Sequence, residues 1–352
     1  MRIHISNCYK KTKYHYSNLT AQAFKDLGHD VFEFDSEDYS SSRLKIDKAI
    51  RRSPFFLLAK KNPEIFDFRQ KHRHFINKHW LETIKNFKPD LVLTFNSGWL
   101  SYEAVKAARE NLRVPKMVCW VVDNPTVSAA EELPIFLPYY DTVFSTDTGW
   151  IPFIKFFNNN AFYLPLATSD IAYKPINSER DLDFSFVGSF YPQDPAGFLR
   201  ALFISNLPVD SRAEIYGPGI DYFKNIYPKL KNFNCHDKSI GVDEVNKLWN
   251  RSKLTAVIYH PQVVSGTSPR IFDAALAKTP QIIQYTSTAS ELFPGVNLPL
   301  FNSVPEFTAH IDYYLSRPNE REELAEAMFE ITKKKHLFSH RIKTMLELLD
   351  LR

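Results

Sequence analysis

The chain alternates short, almost wholly apolar runs with longer amphipathic stretches. RIHIS, VFEF, PDLVLTF, KMVCWVV, DTVFST and AFYLPL are the apolar runs of the first half. A strand covered by helices on both faces reads as a continuous apolar run rather than as an alternation, so these predict a buried parallel sheet. Between the runs, NLTAQAFKDL and SYEAVKAARENL space their apolar residues as a helix does, and Gly28 stands where the first helix should end. Strand, helix, strand repeated in this way predicts a doubly wound α/β domain.

The texture then breaks. LPLATSDIAYKPINSERD is polar, holds two prolines and predicts an interdomain linker. After it the pattern restarts. DFSFVGS, AEIYGPG, LTAVIYH and PQIIQY read as strands, and PAGFLRALFIS, VNKLWNRS and PRIFDAALA as helices; amphipathic helices follow. The expected organisation is an N-terminal Rossmann-like domain over 1–168, a linker over 169–182, a second such domain over 183–335, and a closing helix over 336–352 that packs back on the first domain. No short-period repeat and no low-complexity tract interrupts it. Ligands of open α/β sheets bind outside the carboxyl ends of the strands, so the chemistry is sought there.

Composition narrows the class. A hydrophobic content of 44% and a charged content of 24% are those of a soluble globular protein. No apolar run approaches the roughly 20 residues needed to cross a bilayer. The opening MRIHISNCYKK lacks the apolar core of a signal peptide, and Cys8, Cys119 and Cys235 are odd in number and far apart. Both features predict a reduced, cytoplasmic protein. The net charge of +4 hides an uneven distribution, with thirteen Lys/Arg against four Asp/Glu between Arg43 and Lys88. The remainder is therefore net acidic. Within the basic stretch, RRSPFFLLAKK suits either contact with an anionic membrane surface or an ordinary buried helix edge. KHRHFINKH carries His72, His74 and His79 without the i,i+4 spacing of a helical metal site, and reads as a solvated basic helix. No recognisable nucleic-acid module accompanies the charge, so no nucleic-acid partner is expected.

The densest candidate chemistry is SGTSPRIFDAALA, residues 265–277. Thr267 or Ser268 suits an N-cap and Pro269 the first helical position. Ser265 and Gly266 add small residues just before. The helix start offers unpaired backbone N–H groups to an anion, Arg270 adds a cationic fork, and Asp273 can accept hydrogen bonds from a diol. The same residues also suit a capped core helix with an i,i+3 surface pair.

TSPRIFDAALAKTPQIIQYTSTASELFPG resembles the donor-binding helix of the CgeB-like (spore-maturation-like) group of GT-B glycosyltransferases. The resemblance continues through FNSVPEFTAHIDYYLSRPNEREELAEAMFEITKKKHLFSHR, LPLATSDIAYKP, DLDFSFVGS, IYGPG and CWVVDNP. It implies two Rossmann-like domains facing across a cleft, with a nucleoside diphosphate sugar on the second. Three departures stand out. Asp273 occupies a position usually held by Glu, Lys278 and Thr279 replace the usual Cys and Gly, and Ser265 stands where a sugar-contacting Glu is common.

On this reading Gly188 and Ser189 admit the diphosphate, Tyr216 and Gly217 line the base pocket, and His260 enters the cleft from a strand end. Tight turns and edge packing explain these five equally well. Asp123, ending a buried strand, and His15, in the first loop, are the candidate general bases; a turn and a solvated loop are the structural alternatives. The expected function is metal-independent transfer of a sugar, most simply from a UDP-sugar, to a hydroxyl of a glycan or glycoconjugate, with no cofactor. Alternatives are a catalytically impaired nucleotide-sugar-binding protein and a nucleotide-sugar epimerase. The membrane contact through 43–88 would make the protein peripheral to the inner face of a membrane.

Overall fold

The computed structural model describes residues 1–39, 68–95, 99–126 and 133–351. Most of the basic stretch, including RRSPFFLLAKK, and the loop residues Asn96, Ser97 and Gly98 lie outside the described residues, so the expected membrane contact falls there too. Two compact units form. The first holds Met1–Thr146, Trp150–Leu164 and Met345–Arg352, and the second holds Asp147–Gly149 and Pro165–Thr344.

The first unit is a parallel sheet of β1 (Arg2–Ser6), β2 (Asp30–Phe34), β3 (Leu91–Phe95), β4 (Lys116–Val121), β5 (Thr142–Ser145) and β6 (Ala161–Tyr163). The order is β2-β1-β3-β4-β5-β6, and all neighbours are parallel. Helices α1 (Tyr16–Asp26), α2 (Phe68–Phe87), α3 (Tyr102–Glu110), α4 (Leu133–Phe136) and α5 (Ile151–Lys155) accompany it. Every residue of β3 is buried, as its almost unbroken apolar run predicts. Trp80 of α2 packs into the core and donates its indole N–H to Ser6 Oγ at 2.8 Å, so neither buried polar group is orphaned. Strand order reverses between β1 and β3, which marks the binding crevice of this sheet at their carboxyl ends.

The second unit repeats the plan with β7 (Leu182–Val187), β8 (Ala213–Tyr216), β9 (Asn234–His236), β10 (Ser252–Val257), β11 (Gln281–Gln284) and β12 (Leu300–Phe301). Its order is β12-β11-β10-β7-β8-β9, again all parallel. The switch point lies between β7 and β10. Helices α6 (Pro195–Ile204), α7 (Ile220–Ile226), α8 (Val242–Asn250), α9 (Arg270–Leu276), α10 (Ala289–Leu292), α11 (Val304–Ser316), α12 (Pro318–Lys335) and α13 (Phe338–Leu348) complete the architecture. The final residues of α13, from Met345 on, group with the first unit and the rest of the helix with the second. The edge strands β9 and β12 have no counterpart in the sequence reading. They span three and two residues and carry no apolar run to announce them.

The stretch predicted as a linker is tied down along α8. Lys174 N and Ile176 N donate to the side chains of Asn246 and Asn250, at 3.1 and 2.6 Å. Arg180 donates to the carbonyls of Ser252 and Lys278. Among the described residues, no helix is long and apolar enough to cross a membrane.

Candidate functional site

The switch-point crevice of the second unit gathers most of the predicted donor-site residues. β7 ends at Val187 and delivers Gly188 and Ser189, while β10 leads to Tyr259 and His260 and then to the loop before α9. α9 itself is short and apolar: Ile271, Phe272, Ala274, Ala275 and Leu276 are buried, which leaves Arg270 and Asp273 on its other face. Pro269 already has helical dihedrals, φ −57° and ψ −20°. Ser268 is thus the working cap, and its Oγ accepts from Arg270 N at 3.4 Å.

Two cations converge there. Arg200, on α6, donates from Nη1 to the carbonyl and to Oγ of Ser189, at 2.8 and 3.0 Å. Its Nε is buried without a hydrogen-bond partner. Burial, aided by repulsion from Arg270, lowers the Arg200 guanidinium to about 10, with Asp194 acting in the opposite sense. Arg270 takes no side-chain hydrogen bond and no ion pair among the described residues. The i,i+3 surface pair with Asp273 is therefore not formed. Arg200 and Arg270 lie within electrostatic range of each other, with Asp194 near the first and Asp273 near the second, and neither guanidinium is tied up in an ion pair among the described residues, so both can meet an anion.

The loop before α9 adds backbone donors. Gly266 and Thr267 are buried, yet among the described residues the N–H groups of Gly266, Thr267 and Ser268 make no hydrogen bond. Consecutive amides without a protein acceptor are costly in isolation and are available to an anion.

Asp273 keeps partial solvent exposure, but the protein packed around it pushes its carboxyl up to about 7. Neighbouring Thr168 and the charge of Arg270 pull the other way. Tyr173, stacked on Trp249 with ring centroids 5.4 Å apart, lies near enough that burial and then the Asp273 charge raise its phenol.

His260 has both ring nitrogens engaged. Nδ1 accepts from Gln262 N at 3.0 Å, which places the ring proton on Nε2, 3.0 Å from Asp194 Oδ1. Asp194 also caps α6 through Ala196 N at 2.9 Å. His260 thus forms part of the wall. Ser265 is equally committed: Oγ donates to Asp147 Oδ1 at 2.9 Å, and its carbonyl accepts from Thr288 Oγ1 at 2.7 Å.

Tyr216 and Gly217 sit at the end of β8. Tyr216 stacks on His236, centroids 4.1 Å apart and planes 11° apart, and His236 reaches Glu214 at 2.7 Å. Gly217 has a packing requirement of its own, since a Cβ there would stand 1.8 Å from the carbonyl oxygen of Gly188. Gly188 N in turn donates to Tyr216 O at 3.0 Å, so the two loops brace each other.

The first unit brings its two candidate bases to the carboxyl edge of its own sheet. His15 caps α1, accepting weakly from Ser17 N and sharing a 2.6 Å hydrogen bond between Nδ1 and Ser17 Oγ. Burial lowers its pKa. Tyr16 packs on Phe95 at 5.0 Å, and its phenol is raised by burial and then by the charge of Asp123. Asp123, exposed after β4, is therefore a neighbour of the aromatic cluster around His15.

Arg200, Asp194, Asp147 and Tyr173 are not among the candidates that the sequence offers. A lone arginine inside the apolar helix PAGFLRALFI was the available signal for Arg200. Among the described residues, no group of three or more His, Cys, Asp or Glu could hold a metal ion.

Known proteins place this architecture. Residues 174–347 match the family described as Glycosyl transferase-like. No curated protein matches in sequence. Among solved structures, sucrose-phosphate synthase from Thermosynechococcus elongatus superposes with a TM-score of 0.69 at 10% identity, over 99% of this chain and 98% of that one. The Anabaena protein Alr3699/HepE, solved with UDP and glucose, gives 0.65 at 13% identity over 99% of each chain. A variant of the T4 phage protein BGT, solved with UDP-glucose, gives 0.61 at 12% identity over all of both. The fold is the GT-B fold of glycosyltransferases. Within it, the segment 174–347 that matches the Glycosyl transferase-like family is the one that carries the crevice.

Proposed function

We propose that the protein transfers a sugar from a nucleoside diphosphate donor, most simply a UDP-sugar, to a hydroxyl acceptor on a glycan or glycoconjugate, and that it falls in the CgeB-like group. One observation carries the reading: Arg270, which makes no ion pair among the described residues, directly follows three unbonded amides at the switch point of the second sheet, with Arg200 within electrostatic range of it. The donor diphosphate supplies the missing anion. In the reaction the bond from the anomeric carbon to the diphosphate oxygen breaks, and one to the acceptor oxygen forms. Negative charge grows on the leaving diphosphate, where the guanidinium groups and amides stabilise it. Asp273 accepts a ribose hydroxyl, and Asp123 takes the acceptor proton, with the His15 and Tyr16 cluster beside it. The ligands named for the HepE and BGT structures, UDP with glucose and UDP-glucose, support the donor class.

The test is a thermal-shift panel of nucleoside diphosphates and nucleotide sugars. A ligand at a hundred times its Kd adds about 2.7 kcal/mol of apparent stability. UDP and at least one UDP-sugar should raise the melting temperature. No shift from any nucleoside diphosphate at millimolar concentration would sink the reading.

A further inference from the structure

The loop that offers the open amides has to be held in that form, and the structure shows the holder. Asp147, 1% exposed, belongs to the three-residue piece Asp147–Gly149 of the second unit. Its carboxylate accepts from Val264 N at 2.8 Å, Ser265 N at 3.1 Å, Ser265 Oγ at 2.9 Å and Gly149 N at 2.7 Å. Thr148 Oγ1 adds a hydrogen bond to Ser265 Oγ. Gly149 lies so close that a Cβ would come within 2.6 Å of Val264 Cγ1. On the far side of Gly266, Thr267 Oγ1 meets the buried Tyr259 hydroxyl at 2.9 Å. A carboxylate offers about four acceptor sites on one short side chain, which suits four converging donors.

We infer that Asp147 is a positioning residue for the anion site. By taking up the amides of Val264 and Ser265, it fixes the loop in the form that leaves the amides of Gly266, Thr267 and Ser268 open to a diphosphate. Asp147 is buried and saturated, so it acts through the loop and not on the ligand. This rests on the donor-site reading above.

The experiment compares wild type, Asp147→Asn and Ser265→Ala. The asparagine preserves shape but turns a donating amide on two backbone N–H groups. Ser265→Ala removes only the hydroxyl contacts and serves should the first variant fold poorly. Hydrogen exchange is read without ligand, and UDP affinity by calorimetry. In Asp147→Asn, exchange over 263–268 should quicken about tenfold while β7 and β10 are unchanged, and the UDP Kd should rise about tenfold. Ser265→Ala should move both in the same direction by less. Unchanged exchange in both variants, or a loosened loop with unchanged UDP affinity, overturns the inference. Wild-type protein that does not bind UDP overturns the donor reading itself, whereas wild type that binds with variants that bind equally well overturns this inference alone.

Discussion

The carboxyl edges of the two sheets occupy matching positions in similar topologies, yet they are furnished with opposite chemistry. At β7 and β10 the chain assembles two guanidinium groups and a run of unbonded amides. At β1 and β4 it assembles aromatic rings, an imidazole with lowered pKa and an exposed carboxylate. One crevice is suited to holding negative charge, the other to accepting a proton beside an apolar surface. The difference teaches that one doubly wound plan, used twice, can carry unlike chemistry, which on the proposed reading divides donor holding from proton transfer: the sheets supply only the positions, and the loops after the strands decide the chemistry.

The sharpest way to break that division is at Asp123. Asp123→Asn should lower the turnover of sugar transfer by 10²-fold or more, the scale of a lost general base, while UDP affinity stays at the wild-type value. A variant with full turnover would remove the proton-accepting role from the first unit. Measured acceptor-dependent kinetics and calorimetry on the same preparation separate the two effects.

Asp273 tests the other crevice through pH. Its carboxyl is raised from 3.8 to about 7, so the folded state keeps a proton that the unfolded chain has released. Its contribution to stability is therefore intact below about pH 4, declines as pH rises through that window, and is lost above about 7. Asp273→Asn should melt several degrees higher than wild type at pH 8 and show a much smaller difference at pH 4, while binding UDP less well at both. Equal melting differences at the two pH values would contradict the burial argument.

The smallest effect is expected at Lys278. It follows α9 with φ +53°, a left-handed conformation that glycine adopts at least cost. Its amine compensates by pairing with Glu326 at 2.7 Å and lying over the Phe329 ring at 4.5 Å. Lys278→Gly should change stability by under about 1 kcal/mol in chemical denaturation, because relief of strain offsets a surface pair. A loss of several kcal/mol would show that the lysine contacts dominate.

These residues also show what was legible in the sequence. LVLTF and KMVCWV declared themselves because a strand buried on both faces reads as an almost unbroken apolar run. The 265–273 segment was legible because cap, small residues, arginine and aspartate follow one another directly. Arg200 and Asp147 were not. Arg200 comes from the helix after β7 and Asp147 from the end of β5; a lone arginine in an apolar helix marks Arg200 as unusual without naming the loop it meets, and nothing local marks Asp147. Gly217 illustrates the converse. Its glycine is accounted for by the carbonyl of Gly188, a contact between two strand ends that spacing alone does not reveal.

The central claim is that the crevice at β7 and β10 binds a diphosphate through Arg200 and Arg270. Titration calorimetry of UDP into wild type and Arg270→Ala tests it most directly. Loss of a charge-assisted contact should weaken binding by about 1.5–3 kcal/mol, roughly 10- to 150-fold, without a change in the melting temperature of the unliganded protein. UDP affinity that is unchanged in Arg270→Ala would contradict the claim.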